Sequence, residues 1–89
     1  FEKALGRPTI DELKLYEEAI KSFEKAIIIY PGNPQSYNHK GKLLEALGKM
    51  EEAKECYKKA AEMEPANPGF VSDLENLVGK LKKGNEKDD

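Results

Sequence analysis

Pro31-Gly32-Asn33-Pro34 returns as Pro65-Ala66-Asn67-Pro68, 34 residues later. The text before each copy returns with it: Glu17, Glu18, Ala19, Lys25 and Ala26 recur at the same interval as Glu51, Glu52, Ala53, Lys59 and Ala60, and Phe23 recurs as Tyr57. A fixed period of this length marks a stacked repeat, in which each unit buries its apolar face against the next. Such chains act through a surface rather than a catalytic centre.

Upstream of Pro31, Ile10, Leu13, Tyr16, Ile20, Phe23 and Ile27 fall three and four apart, with Ala19 and Ala26 beside them. That spacing predicts one buried stripe on a helix over 9–30. Thr9 and Glu12 have the spacing of a capping box at its start, next to Pro8. Pro31 ends it, because a further turn would lose a donor and clash. Residues 27–30 are apolar all round, so this end is expected to be covered on more than one side. Asn33 reads as an N-cap and Pro34 as the first residue of the next helix. Tyr37, Gly41, Leu44 and Leu47 share one face of that helix, and Gly48 closes it. A helix over 49–63 turns Met50, Ala53, Tyr57, Ala60 and Ala61 inward and stops before Pro65. The Asn67-Pro68 start then opens an amphipathic helix over 68–83 through Val71, Leu74, Leu77, Val78 and Leu81. Residues 84–89 are polar and charged, and a disordered tail is expected there.

The 89 residues suit one small domain, with 38% hydrophobic and 36% charged residues. A net charge of −2 lacks the basic surplus of a nucleic-acid binder. No apolar run approaches the roughly 20 residues of a membrane span. The single cysteine, Cys56, has no second thiol to pair with or to share a metal. A start at Phe1 without methionine reads as a piece of something longer.

Residues 34–67 resemble a tetratricopeptide repeat, a helix–turn–helix unit of this period. The family's first-helix aromatic is matched by Tyr37, its small residue by Gly41, the following large residue by Leu44 and the turn glycine by Gly48. In the second helix Ala53 and Ala60 match the small positions, Tyr57 the aromatic between them and Pro65 the closing proline. Lys40 departs from the pattern, standing where the family prefers leucine. Residues 13–33 resemble the second helix of a preceding repeat through Tyr16, Ala19, Phe23, Ala26 and Pro31, so 1–33 reads as a partial or degenerate unit. Phe1 to Leu5 echoes Phe23 to Ile27 at an interval too short for a repeat. Residues 68–83 resemble the family's C-terminal capping helix, with polar Ser72, Asp73, Glu75 and Asn76.

The resemblance implies an all-α, right-handed α-solenoid of antiparallel helix pairs, without cofactor or chemistry, in the cytoplasm. It implies a module that binds a peptide or partner helix on its concave face. The groove residues it nominates are Gln35, Asn38, His39, Lys42 and Glu45, extended by Ser72, Asp73 and Asn76. A subgroup of the family clamps acidic C-termini with Lys, Asn and Arg; here Gly69 and Asp73 stand where two cations are wanted, and Asp73 repels a carboxylate. His39 has no second His or Cys at ligand spacing. Cys56 has no identifiable base, and the Glu17-Glu18 and Glu51-Glu52 pairs splay apart on their helices. A second reading is structural. About three repeats make a stable stack, so the unpaired helix over 10–30, with Ile28 and Ile29, would bury itself against another copy.

Overall fold

A computed structural model describes residues 9–87, with side chains placed as far as Lys82. Four helices follow one another: α1 (Ile10–Ile29), α2 (Pro34–Ala46), α3 (Met50–Met63) and α4 (Pro68–Lys87). Among the described residues there is no strand. Each helix packs on the next, α2 against α3 most extensively. This is the sequential stacking of an all-α, repeat-built solenoid.

The helix ends follow from local chemistry. At α1 the Glu12 backbone N–H donates to Thr9 Oγ1 at 3.1 Å and the Thr9 N–H donates to Glu12 Oε1 at 2.9 Å, a complete capping box. Asn33 Oδ1 accepts from the Gln35 N–H at 3.0 Å, and Asn67 Oδ1 accepts from the Gly69 N–H at 2.9 Å. The repeated Asn-Pro therefore caps two equivalent helices. Gly48 has φ +83°, where a β-carbon is strained. That conformation lets the Gly48 N–H reach Glu45 O and the Lys49 N–H reach Leu44 O, both at 2.9 Å, which satisfies two end carbonyls of α2.

The core takes Ile20 from α1, Leu44 from α2, Ala53, Cys56 and Tyr57 from α3, and Leu77 from α4. Leu43, Leu47, Met50, Leu74 and Leu81 flank it. Gly41 lies directly under the Tyr57 ring: a β-carbon there would stand 2.8 Å from Tyr57 Cε1. The absent side chain is what lets α2 and α3 close up.

Three expectations change. The α1 stripe is not buried along its length. Ile20 alone is buried, while Leu13, Tyr16, Phe23 and Ile27 are half-buried and Ile10 is exposed, because α1 packs on α2 from one side. Its C-terminal end is open rather than enclosed, with Ile28, Ile29 and Tyr30 all exposed. The backbone beyond Lys83 stays helical to Lys87, where a tail was expected. No proline interrupts it, and one mid-helix glycine, Gly84, costs only about 1 kcal/mol. Residues 88–89, Pro8 and the Phe1–Leu5 echo lie outside the described residues. Lys40, the departure from the repeat pattern, lays its stem at the core edge and carries its ammonium out to Glu24 Oε2 of α1 at 3.2 Å.

Candidate functional site

The eight nominated groove residues divide into three groups. Asn38, on α2, is only 5% exposed. Its Nδ2 donates to Asp73 Oδ2 of α4 at 3.0 Å, and Lys42 Nζ stands 3.9 Å from the same oxygen. Two turns further on, Glu45 Oε1 accepts from the Tyr57 hydroxyl at 2.8 Å, while its Oε2 accepts from Lys80. Asn38 to Asp73 and Glu45 to Lys80 are the same interval on the same two helices. Two rungs thus tie α2 to α4 in parallel register. Asn38, Glu45 and Asp73 are occupied within the molecule and form the floor of this face.

Gln35, Lys42, Ser72 and Asn76 form the second group, and they are exposed. His39 stands apart. Its ring stacks on Phe23 of α1, with centroids 5.5 Å apart and planes inclined by 23°, so it belongs to the α1 side of α2. Lys80 was not among the nominated residues, and it holds the second rung. Its only signal in the sequence is an opposite charge one repeat and one residue beyond Glu45.

Electrostatics ties the floor to the core. Burial alone would push the Glu45 carboxyl up, but hydrogen bonds from Lys80 and Tyr57 and the charges of Lys80 and Lys42 outweigh it and hold it below its usual value. Burial first, and then donation to the Glu45 carboxylate, pushes the Tyr57 phenol well above its ordinary range. Burial also pushes the Cys56 thiol up, which makes it a poor nucleophile at neutral pH. A depressed carboxylate contributes stability that is present above its unfolded-state pKa and lost as pH falls through the folded one. We expect the melting temperature of the native chain to fall as pH drops below 4.5, the ordinary carboxyl value for Glu45. In Glu45→Gln that part of the acid dependence should disappear, which melting curves taken from neutral to acid pH would measure.

A hollow lies between α1 and the α2–α3 turn. Ile20, Leu44 and Leu47 line it together with Glu17, Lys21 and Lys49, so charges of both signs surround an apolar base. Among the described residues no three of His, Cys, Asp and Glu cluster as a metal site would need. No helix among them is long and apolar enough to cross a membrane.

The helical hairpin of α2 and α3, repeated in part by α1, is matched by a family model. The tetratricopeptide-repeat model matches residues 11–33 and, directly after them, 34–67, together more than half of the chain. The chain belongs to the tetratricopeptide-repeat family. The second match spans α2 and α3, a complete unit. The first covers α1 in the role of a second helix and begins two residues before the resemblance read from sequence. Tetratricopeptide repeats generally mediate protein–protein interactions and form a non-catalytic module. A search of the curated proteins finds no match.

Proposed function

We propose that this tetratricopeptide-repeat chain is a protein-binding scaffold that holds an extended peptide or a partner helix on the face shared by α2 and α4. The observation that carries the reading is the pair of rungs, Asn38–Asp73 and Glu45–Lys80, beneath a row of exposed polar side chains. The rungs hold the two helices at a fixed separation before any ligand arrives, which lowers the ordering cost of binding. Gln35 and Asn76 present amides that can both donate to and accept from a peptide backbone, Ser72 adds a hydroxyl, and Lys42 supplies a cation. Asn38, Glu45 and Asp73 act as positioning residues beneath them.

In this reading α4 caps the stack. Glu75 stands 34 residues after Gly41, and a carboxylate side chain there keeps a further helix from the close approach that Gly41 permits. The module needs no cofactor. A cytoplasmic setting is in keeping with its single buried thiol.

The test is affinity capture from a lysate with the native chain and with a Gln35→Ala, Lys42→Ala, Asn76→Ala triple variant, compared by mass spectrometry. All three side chains are exposed, so the variant should fold normally. A partner retained by the native chain and lost from the variant is the expected result. Equal retention by both would move the binding face elsewhere.

A further inference from the structure

The 34-residue period allows each position on α1 to be compared with its counterpart on α3. Ala53, Tyr57 and Ala60 of α3, a helix packed between α2 and α4, are completely or almost completely buried. Their counterparts Ala19, Phe23 and Ala26 are only half-buried: Phe23 stacks on His39 of α2, and among the described residues no helix covers the other side of α1. Beside them Leu15 is 62% exposed and Ile29 71% exposed. The open face of α1 is therefore an apolar helix-docking surface of the same design as the one α2 fills.

We propose that a second copy of this chain fills it, the two α1 helices lying antiparallel about a two-fold axis beside Ser22. The argument is self-complementarity, which an isologous interface requires. The small and large residues of α1 alternate at helical spacing as Tyr16, Ala19, Phe23 and Ala26. Laid antiparallel with its own copy, that series sets Tyr16 over the other copy's Ala26 and Phe23 over its Ala19, each contact occurring twice. A shift of one residue in the centre of that pairing, from 21 to 22, brings Leu15 onto Ile29, covering the two apolar side chains that water now reaches. On the adjoining edge a centre midway between them sets Glu18 beside Lys25, and both are exposed and opposite in charge. The pairings for shape, apolar exposure and charge thus all centre between positions 21 and 22, within one residue of one another.

The packing would repeat what the complete unit does. On α2 the order Tyr37, Gly41, Leu44 covers Tyr57 with a small residue, and on α1 the order Tyr16, Ala19, Phe23 would cover Phe23 in the same way. Ile10 and Ile28 lie on another side of α1 and take no part. The inference is independent of the ligand reading, since the α2–α4 face stays free.

Sedimentation equilibrium on the whole chain across the micromolar to millimolar range tests it, with circular dichroism to confirm folding. A reversible dimer is expected. Leu15→Arg, at an exposed site that leaves the monomer's core intact, should weaken it roughly a hundredfold or more, because the contact is lost twice. Ile28→Arg should leave it unchanged. Glu18→Lys should weaken it roughly three- to tenfold, and adding Lys25→Glu to the same chain should restore it. A short bismaleimide should join Ser22→Cys chains into covalent dimers. A strictly monomeric chain, a dimer indifferent to Leu15→Arg, a dimer broken by Ile28→Arg, or no cross-link at position 22 would each overturn the proposal.

Discussion

Tyr57→Ala is expected to produce the largest loss of stability of any single substitution in this chain, about 3–5 kcal/mol. Tyr57 is 2% exposed and touches the elements on which the fold depends. Its ring covers Gly41 of α2, its neighbours include Leu44 and Ala53, and its hydroxyl reaches Glu45. Removing the ring leaves a cavity at the α2–α3 crossing that neither helix can close without losing contacts elsewhere. A domain of this size shifts its melting temperature by about 4–8 °C per kcal/mol, so the loss should be obvious in a thermal melt. Two companions separate the causes. Tyr57→Phe keeps the ring and loses one donor to Glu45, which retains Lys80; about 1 kcal/mol is expected. Phe23→Ala deletes a ring at the equivalent position one repeat earlier, but a half-buried one, and should cost clearly less than Tyr57→Ala in the monomer. Equal losses from Tyr57→Ala and Phe23→Ala at low concentration would mean that α1 is as deeply packed as α3.

Local features of the fold were legible in the sequence, and features that depend on a distant partner were not. The capping box at Thr9, the Asn33 and Asn67 caps and the left-handed turn at Gly48 each involve residues within five positions of one another. Their chemistry is complete in the local text. The α1 stripe shows the other side. Periodicity at three and four says which face of a helix is apolar, not whether another helix lies against it. That is why Ile28 and Ile29, read as enclosed, are in water. The groove residues illustrate the same boundary. Asn38 and Glu45 look like ordinary polar positions on an amphipathic helix, and only the stacking of α4 on α3 brings Asp73 and Lys80 within reach of them. Lys80 sits among other lysines near the end of the chain, and nothing local distinguishes it from Lys82.

Gly41→Leu should destabilise the chain by about 1–3 kcal/mol, through overpacking rather than a cavity. The first added carbon already meets the Tyr57 ring at 2.8 and 2.9 Å and Cys56 Cβ at 3.2 Å. The ring cannot swing aside easily, since it is buried and its hydroxyl is held by Glu45. The backbones of α2 and α3 must therefore separate, which also loosens Leu44 against Ala53. Gly41→Ala should fall between the two, because the same clash is partly offset by about 1 kcal/mol of helix propensity. Gly79 of α4 supplies the control. A β-carbon there meets nothing within 4 Å, so Gly79→Ala should gain the propensity term without a clash and raise the melting temperature. Because Gly41 and Tyr57 share one volume, their substitutions should not add: Gly41→Leu placed in the Tyr57→Ala background should recover part of the lost stability by filling the vacated space. Additive losses in that double variant, or an unchanged melting temperature in Gly41→Leu alone, would show that α2 and α3 do not cross at this pair.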